Sequence, residues 1–160
     1  MNTQPYGRPI EILLVEDNPG DVYLTLEALK VSKVEKNVHR VADGEAALEF
    51  LRRKGKYAEA SKIDLILLDL KLPKKNGYEV LAEIATDPAL KPIPVVILTS
   101  SKAEEDMIKT HGLNVLGYIV KPNDPDQFVE IVESMEELWL NILELCRNDK
   151  RRVGRMPSHD

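Results

Sequence analysis

Ile63-Asp64-Leu65-Ile66-Leu67-Leu68-Asp69 is a short, nearly unbroken apolar run that ends on a carboxylate, and its reading decides the fold. Three other runs share its form: Ile12-Leu13-Leu14-Val15 leads into Glu16-Asp17, Pro94 to Leu98 into Thr99, and Val115 to Val120 into Lys121. Short runs rich in Val, Ile and Leu, alternating with helix-like segments, predict parallel strands buried on both faces. With a further strand near Val38 to Val41, the expectation is a doubly wound α/β fold: a five-stranded parallel sheet with helices on both faces. Ligands of such sheets gather outside the carboxyl ends of the strands. Three carboxylates, a hydroxyl and an ammonium are therefore expected in one crevice. That mixture suits a divalent cation and a phosphoryl group, with the acids on the metal and Lys121 and Thr99 facing phosphoryl oxygens.

Between the strands, apolar spacing predicts helices. Pro19 opens one that runs to about Lys33, with Val22, Leu26 and Leu29 on one face. Asp43 caps a second, from Gly44 to about Lys54, whose stripe is Ala47, Leu48 and Leu51; Gly55 ends it. The segment from Leu72 to Gly77 reads as a turn, with Gly77 free to adopt positive φ. Tyr78 to Thr86 forms the next helix, which Asp87-Pro88 stops. Ala103 to His111 gives a fourth, and Asp124 or Pro125 starts a fifth.

Composition bounds the function. A chain of 160 residues with 43% apolar content supports one core. The lone Cys146 excludes an internal disulfide framework and reads as a core or interface thiol. No run reaches the length of a membrane span, and Met1 to Pro9 is too short and polar for a signal peptide, so a cytoplasmic location is expected. A net charge of −5 argues against broad nucleic-acid affinity. His39, His111 and His159 lack metal-ligand spacing, and Lys150-Arg151-Arg152 reads as a solvated tail.

Several of these residues admit structural readings. Asp17 in Asp17-Asn18-Pro19 could serve only as a helix cap. Ser101, with Glu104 three residues later, fits a capping box. Lys121 could be a solvated loop lysine. Asp69 resists such a reading, because a strand-end carboxylate facing others is unfavourable without a cation.

Glu16-Asp17, Asp69, Thr99 and Lys121-Pro122, in this order and spaced by strand-helix units, resemble the receiver domain of two-component response regulators over roughly residues 9 to 134. The resemblance implies a flavodoxin-like fold and a phosphoacceptor role for Asp69, with a histidine kinase as donor. It implies Mg²⁺, or Mn²⁺ as a substitute, held by Glu16, Asp17, Asp69 and the backbone carbonyl of Lys71. It also implies neutralisation of a phosphoryl oxygen by Lys121, a switch pair of Thr99 and Tyr118, and a cis Lys121-Pro122 bond that aims the ammonium. Such a protein is no enzyme in the ordinary sense, although it takes phosphoryl groups from small donors and dephosphorylates itself. Glu16, where many receivers have Asp, lengthens one acidic arm.

Residues 1–8 read as an N-terminal arm, 135–147 as an extension of the last helix, and 148–160 as a basic tail. Along that extended helix Ile131, Met135, Leu138, Ile142 and Leu145 step by four and three, with Trp139 beside them, which is the spacing of a helix-pairing seam. The stripe is wider than one sheet face requires and predicts a homodimer, unless the extension folds back on its own domain. A long Trp-bearing last helix, the start Val15-Glu16-Asp17-Asn18-Pro19-Gly20-Asp21 and the surroundings of Asp69 resemble response regulators paired with bacterial phytochromes. The tail leaves too few residues for an output domain, so the expected output is contact with a downstream protein of unspecified identity, without nucleic acid or membrane. Two other functions stay open: an interaction module that ignores phosphorylation, and a Mg²⁺-dependent phosphatase. The second is disfavoured because Leu70-Lys71-Leu72 lacks the additional Asp used as acid/base.

Overall fold

The structure, a computed structural model, describes residues 9–31, 34–99, 115–122 and 124–134. Five strands lie in one sheet: β1 (Ile10–Val15), β2 (Lys36–Val41), β3 (Leu65–Asp69), β4 (Val95–Thr99) and β5 (Gly117–Val120). All pair in parallel, in the order β2-β1-β3-β4-β5. Helices α1 (Pro19–Val31), α2 (Gly44–Leu51), α3 (Gly77–Thr86) and α4 (Pro125–Glu133) cover the sheet. The doubly wound α/β expectation holds.

Strand periodicity divides the core in two. Leu13, Val15, Ile66, Leu68 and Ile97 face Ala47, Leu48 and Phe50 of α2 and Val80, Leu81 and Ile84 of α3. Their neighbours Ile12, Leu14, Leu65, Leu67, Val96 and Leu98 point the other way, toward Ala28 and Leu29 of α1 and Phe128 of α4. Successive side chains of a strand alternate between faces, so burial of both faces requires the unbroken apolar runs seen in the sequence. Burying a side chain of this size contributes roughly 1.5–3 kcal/mol, which makes the central strands the most stable part of the domain.

Local signals set the helix starts. Asp43 accepts the Ala46 amide at 2.7 Å as the cap of α2. Asn76 and Glu79 form a reciprocal capping box at α3, with bonds of 3.0 and 2.9 Å. At α1 the cap is Asn18, whose Oδ1 accepts the Asp21 amide at 3.1 Å, and Pro19 occupies the first helical position.

Some boundaries differ from expectation. The strand predicted from Ile63 begins at Leu65, because Asp64 exchanges two 2.8 Å bonds with the backbone of Glu11, one through its own amide and one through its carboxylate. The second helix stops at Leu51, and Gly55, with φ of 57°, opens a 3-10 turn over Gly55–Tyr57. Gly77 does not use its freedom to adopt positive φ; in that turn Lys74 has positive φ, at 64°. Gly77 is the first residue of α3, and an added Cβ would stand 2.6 Å from Leu70 Cα and 2.8 Å from the Asp69 carbonyl oxygen. Its requirement is close approach. The helix expected over Ala103 to His111, the Ser101–Glu104 box, the arm 1–8, the extension 135–147 and the tail 148–160 lie outside the described residues. Among the described residues, no helix is long and apolar enough to cross a membrane.

Gly77→Ala should lower stability by roughly 1–3 kcal/mol, the usual cost of forcing a methyl group against fixed backbone. Urea unfolding of the purified chain measures it, and an unchanged midpoint would show that α3 can move aside.

Candidate functional site

The sheet order reverses direction between β1 and β3, which opens a crevice at their carboxyl ends. Val15 pairs with Leu68, so the next residues, Glu16 and Asp69, stand side by side at its floor. Thr99, the buried last residue of β4, pairs with Val120, and Lys121 follows one step on. The Lys121 amide donates to the Thr99 carbonyl at 2.6 Å, which carries the β4–β5 pairing past the end of β5. Tyr118 pairs with Ile97 and is packed against the α2–α3 side of the core, the face on which Thr99 also falls by strand alternation.

Lys121 is the centre of the site. Its ammonium donates to Glu16 Oε1 at 2.7 Å, Asp69 Oδ2 at 2.9 Å and Asp21 Oδ2 at 3.0 Å. Only 12% of its side chain is exposed, which removes the solvated-loop reading. Asp69 Oδ1 accepts the Lys71 amide at 2.8 Å, so each oxygen of this carboxylate has its own donor. Glu16 Oε2 accepts the Asn18 amide at 3.2 Å. From β2, Arg40 reaches over the acidic loop and donates to the carbonyls of Glu16 at 3.0 Å and Asp17 at 3.4 Å.

One oxygen from each of Glu16, Asp17 and Asp69 lies within 4.8 Å of the other two. Glu16 and Asp69 are buried and Asp17 is exposed, so the set has two fixed members and one at the mouth. Closely spaced hard oxygen donors fit a divalent cation that keeps part of its hydration. Electrostatics agree: burial, and the neighbouring Asp69, push the Glu16 carboxyl up to about 7 against the opposing pull of Lys121. Burial works against the charge of Lys121, but its hydrogen bonds to Glu16 and Asp69 and their negative charges outweigh it and hold its pKa above the usual lysine range.

The structure thus brings Glu16, Asp17, Asp69 and Lys121 together, with the Lys71 amide on Asp69 and Thr99 at the adjacent strand end. Because Asn18 rather than Asp17 caps α1, the Asp17 side chain is left for the crevice. One implied detail fails. No cis peptide bond occurs among the described residues, and Lys121-Pro122 is trans, the isomer favoured by about 0.5–1 kcal/mol. The register of β5 suffices to aim the ammonium. Ile131 is half-buried against the α1-side core, whereas Met135, Leu138, Trp139, Ile142 and Leu145 lie outside the described residues. Sequence reading missed two residues. Asp21 stands four positions after Asp17, and Pro19 as helix start places it in the first turn over the strand ends, a signal that was available. Arg40 had none, because only the β1–β2 pairing brings it to the acidic loop.

Comparison with known proteins identifies the family of the fold. Residues 12–133 match the response regulator receiver domain family. The chain is 44% identical over 137 residues to response regulator Rcp1 of Synechocystis sp., covering 86% of this chain and 93% of that protein. It also resembles the crystal structure of the phosphorylated cyanobacterial phytochrome response regulator RcpA, at 50% identity and a TM-score of 0.77, over 83% of this chain and 95% of that one. The Mn²⁺-bound form of Rcp1 superposes with a TM-score of 0.76 at 45% identity, over 82% and 95% of the two chains.

A cation ligand must be deprotonated, and Glu16 holds its proton up to about pH 7. Divalent-cation affinity should therefore rise as pH climbs from about 6 to about 8, with proton release on binding. Glu16→Gln should bind more weakly and show a flatter profile. Calorimetric titration with Mg²⁺ in buffers of different ionisation enthalpy checks both; a wild-type affinity independent of pH would mean that Glu16 stays off the cation.

Proposed function

The chain belongs to the response regulator receiver family, and on that premise we propose that Asp69 accepts a phosphoryl group from a histidine kinase and that the signal leaves through protein contacts. One observation carries the reading: Asp69 ends β3 at the switch point of the sheet, with two carboxylates beside it and the ammonium of Lys121 on its Oδ2. A carboxylate oxygen of Asp69 attacks phosphorus, a P–O bond forms, and the P–N bond to the donor histidine breaks. Lys121, already aimed at that carboxylate, shifts its charge to a phosphoryl oxygen, where preorganised charge is worth most. Glu16, Asp17, Asp69 and the carbonyl of Lys71 would hold Mg²⁺, with Mn²⁺ as a substitute. When bound, this ion supplies the positive charge that lets an anionic donor approach three carboxylates.

Thr99 reports the new group. Its hydroxyl turns toward a phosphoryl oxygen and Tyr118, on the same sheet face, fills the space it leaves. Hydrolysis of the acyl phosphate returns the site to rest, and small phosphodonors such as acetyl phosphate also load it. Similarity to a cyanobacterial phytochrome response regulator at 50% identity supports a phytochrome-type kinase as the donor, in the cytoplasm. The seam Ile131, Met135, Leu138, Ile142 and Leu145, with Trp139, supports a homodimer built on the last helix and its extension.

Incubated with Mg²⁺ and acetyl phosphate, wild type should gain one phosphoryl mass by intact mass spectrometry. Asp69→Asn should gain none, because an amide is a far poorer nucleophile; labelling that survives in Asp69→Asn would move the acceptor elsewhere. For the dimer, Trp139→Ala should shift the chain toward monomer in sedimentation at micromolar concentration while Asp69 still labels. A wild type that stays monomeric with and without a phosphoryl analogue rules the seam out as a self-contact.

A further inference from the structure

We propose that Asp21 is the residue that positions Lys121 for phosphoryl transfer. This rests on the reading of Asp69 as phosphoacceptor and adds to it a residue outside the carboxylate set that faces the cation. An ammonium has three N–H donors, and here each has its own carboxylate, from Glu16, Asp69 and Asp21. Two of those partners have a second task. Glu16 and Asp69 belong to the converging trio with Asp17, and Asp69 loses its carboxylate charge once it is phosphorylated. Asp21 is not in that trio. It is the partner that Lys121 keeps when the other two turn away.

Asp21 is built for that task by its backbone. Its amide donates to Asn18 Oδ1 at 3.1 Å, and its carbonyl accepts the hydroxyl of buried Thr25 at 2.7 Å, which sets the backbone of the first turn of α1. The side chain takes no part in either bond and is free to hold Lys121, with 37% of it exposed at the mouth of the crevice. Without this anchor, a lysine on a flexible four-carbon stem that had lost two partners would spread its charge over many rotamers, and part of the preorganisation would be lost. With it, the ammonium stays over the edge of Asp69 where the phosphoryl oxygens arrive.

The main-chain bonds of Asp21 survive substitution, so Asp21→Asn and Asp21→Ala should fold. Phosphorylation of the full chain by acetyl phosphate at saturating Mg²⁺ should slow roughly tenfold in Asp21→Ala. It should slow less in Asp21→Asn, whose amide oxygen still accepts but carries no charge. Mg²⁺ affinity, titrated without a phosphodonor, should change less than about twofold, because Asp21 is not a cation ligand. The ¹H–¹⁵N signal of the Lys121 ammonium in the Mg²⁺-loaded protein, sharp in wild type, should broaden or vanish in Asp21→Ala. Equal uptake by wild type and both variants overturns the proposal, as does a slowing accounted for by weakened Mg²⁺ binding or an ammonium signal that does not change. A wild type that takes up no phosphoryl group overturns the acceptor reading itself, a failure distinct from that of Asp21.

Discussion

Glu16 and Asp69 stand side by side, buried, at the carboxyl end of a parallel sheet, an arrangement of acids that is unfavourable unless a proton or a cation relieves it. Lys121 is that cation in the structure, and much of the site follows from it. Its three bonds tie the ends of β1 and β3 and the first turn of α1 to the residue that follows β5. Burial first, and the neighbouring Asp69 second, raise the carboxyl of Glu16 in spite of the opposing pull of Lys121. A crevice with such a deficit of positive charge has the donor chemistry that suits a divalent ion, the basis of the proposed function.

The surrounding fold makes the deficit tolerable. Both faces of the sheet are packed, so β1, β3 and β4 are held in register by side chains rather than by the site itself. A one-residue slip of any of them would exchange the two cores, which is why the register is strongly specified. The stability of the core thus carries the cost of burying acids at the strand ends. Gly77 extends the same logic to the loop after β3, where only the absence of a Cβ lets α3 begin directly against Asp69 and Leu70.

Arg40 and Asp21 show how the loops are governed from outside the carboxylate trio. Arg40, on the edge strand, holds the carbonyls of the two residues whose carboxylates face the crevice. Asp21, on α1, holds the ammonium opposite. Both act through geometry that helix and strand ends impose, and neither belongs to the converging trio of Glu16, Asp17 and Asp69.

The apolar runs and the polar residues that end them determined the sheet, its parallel pairing, the two-sided core and the meeting of Glu16, Asp17, Asp69, Thr99 and Lys121 at one edge. The reason is that strand period and burial act locally, so a run buried on both faces is legible from its own residues. The helix cap at Asp43 acts locally too, through a side chain that reaches the next turn. Only the tertiary structure decided which of Asp17 and Asn18 would cap α1, that Gly77 serves close approach, that Lys121-Pro122 is trans, and that Lys121 would find a third partner in Asp21. Each of these depends on atoms far apart in the chain whose separation is set by packing, and packing distances are not written in the spacing of residues.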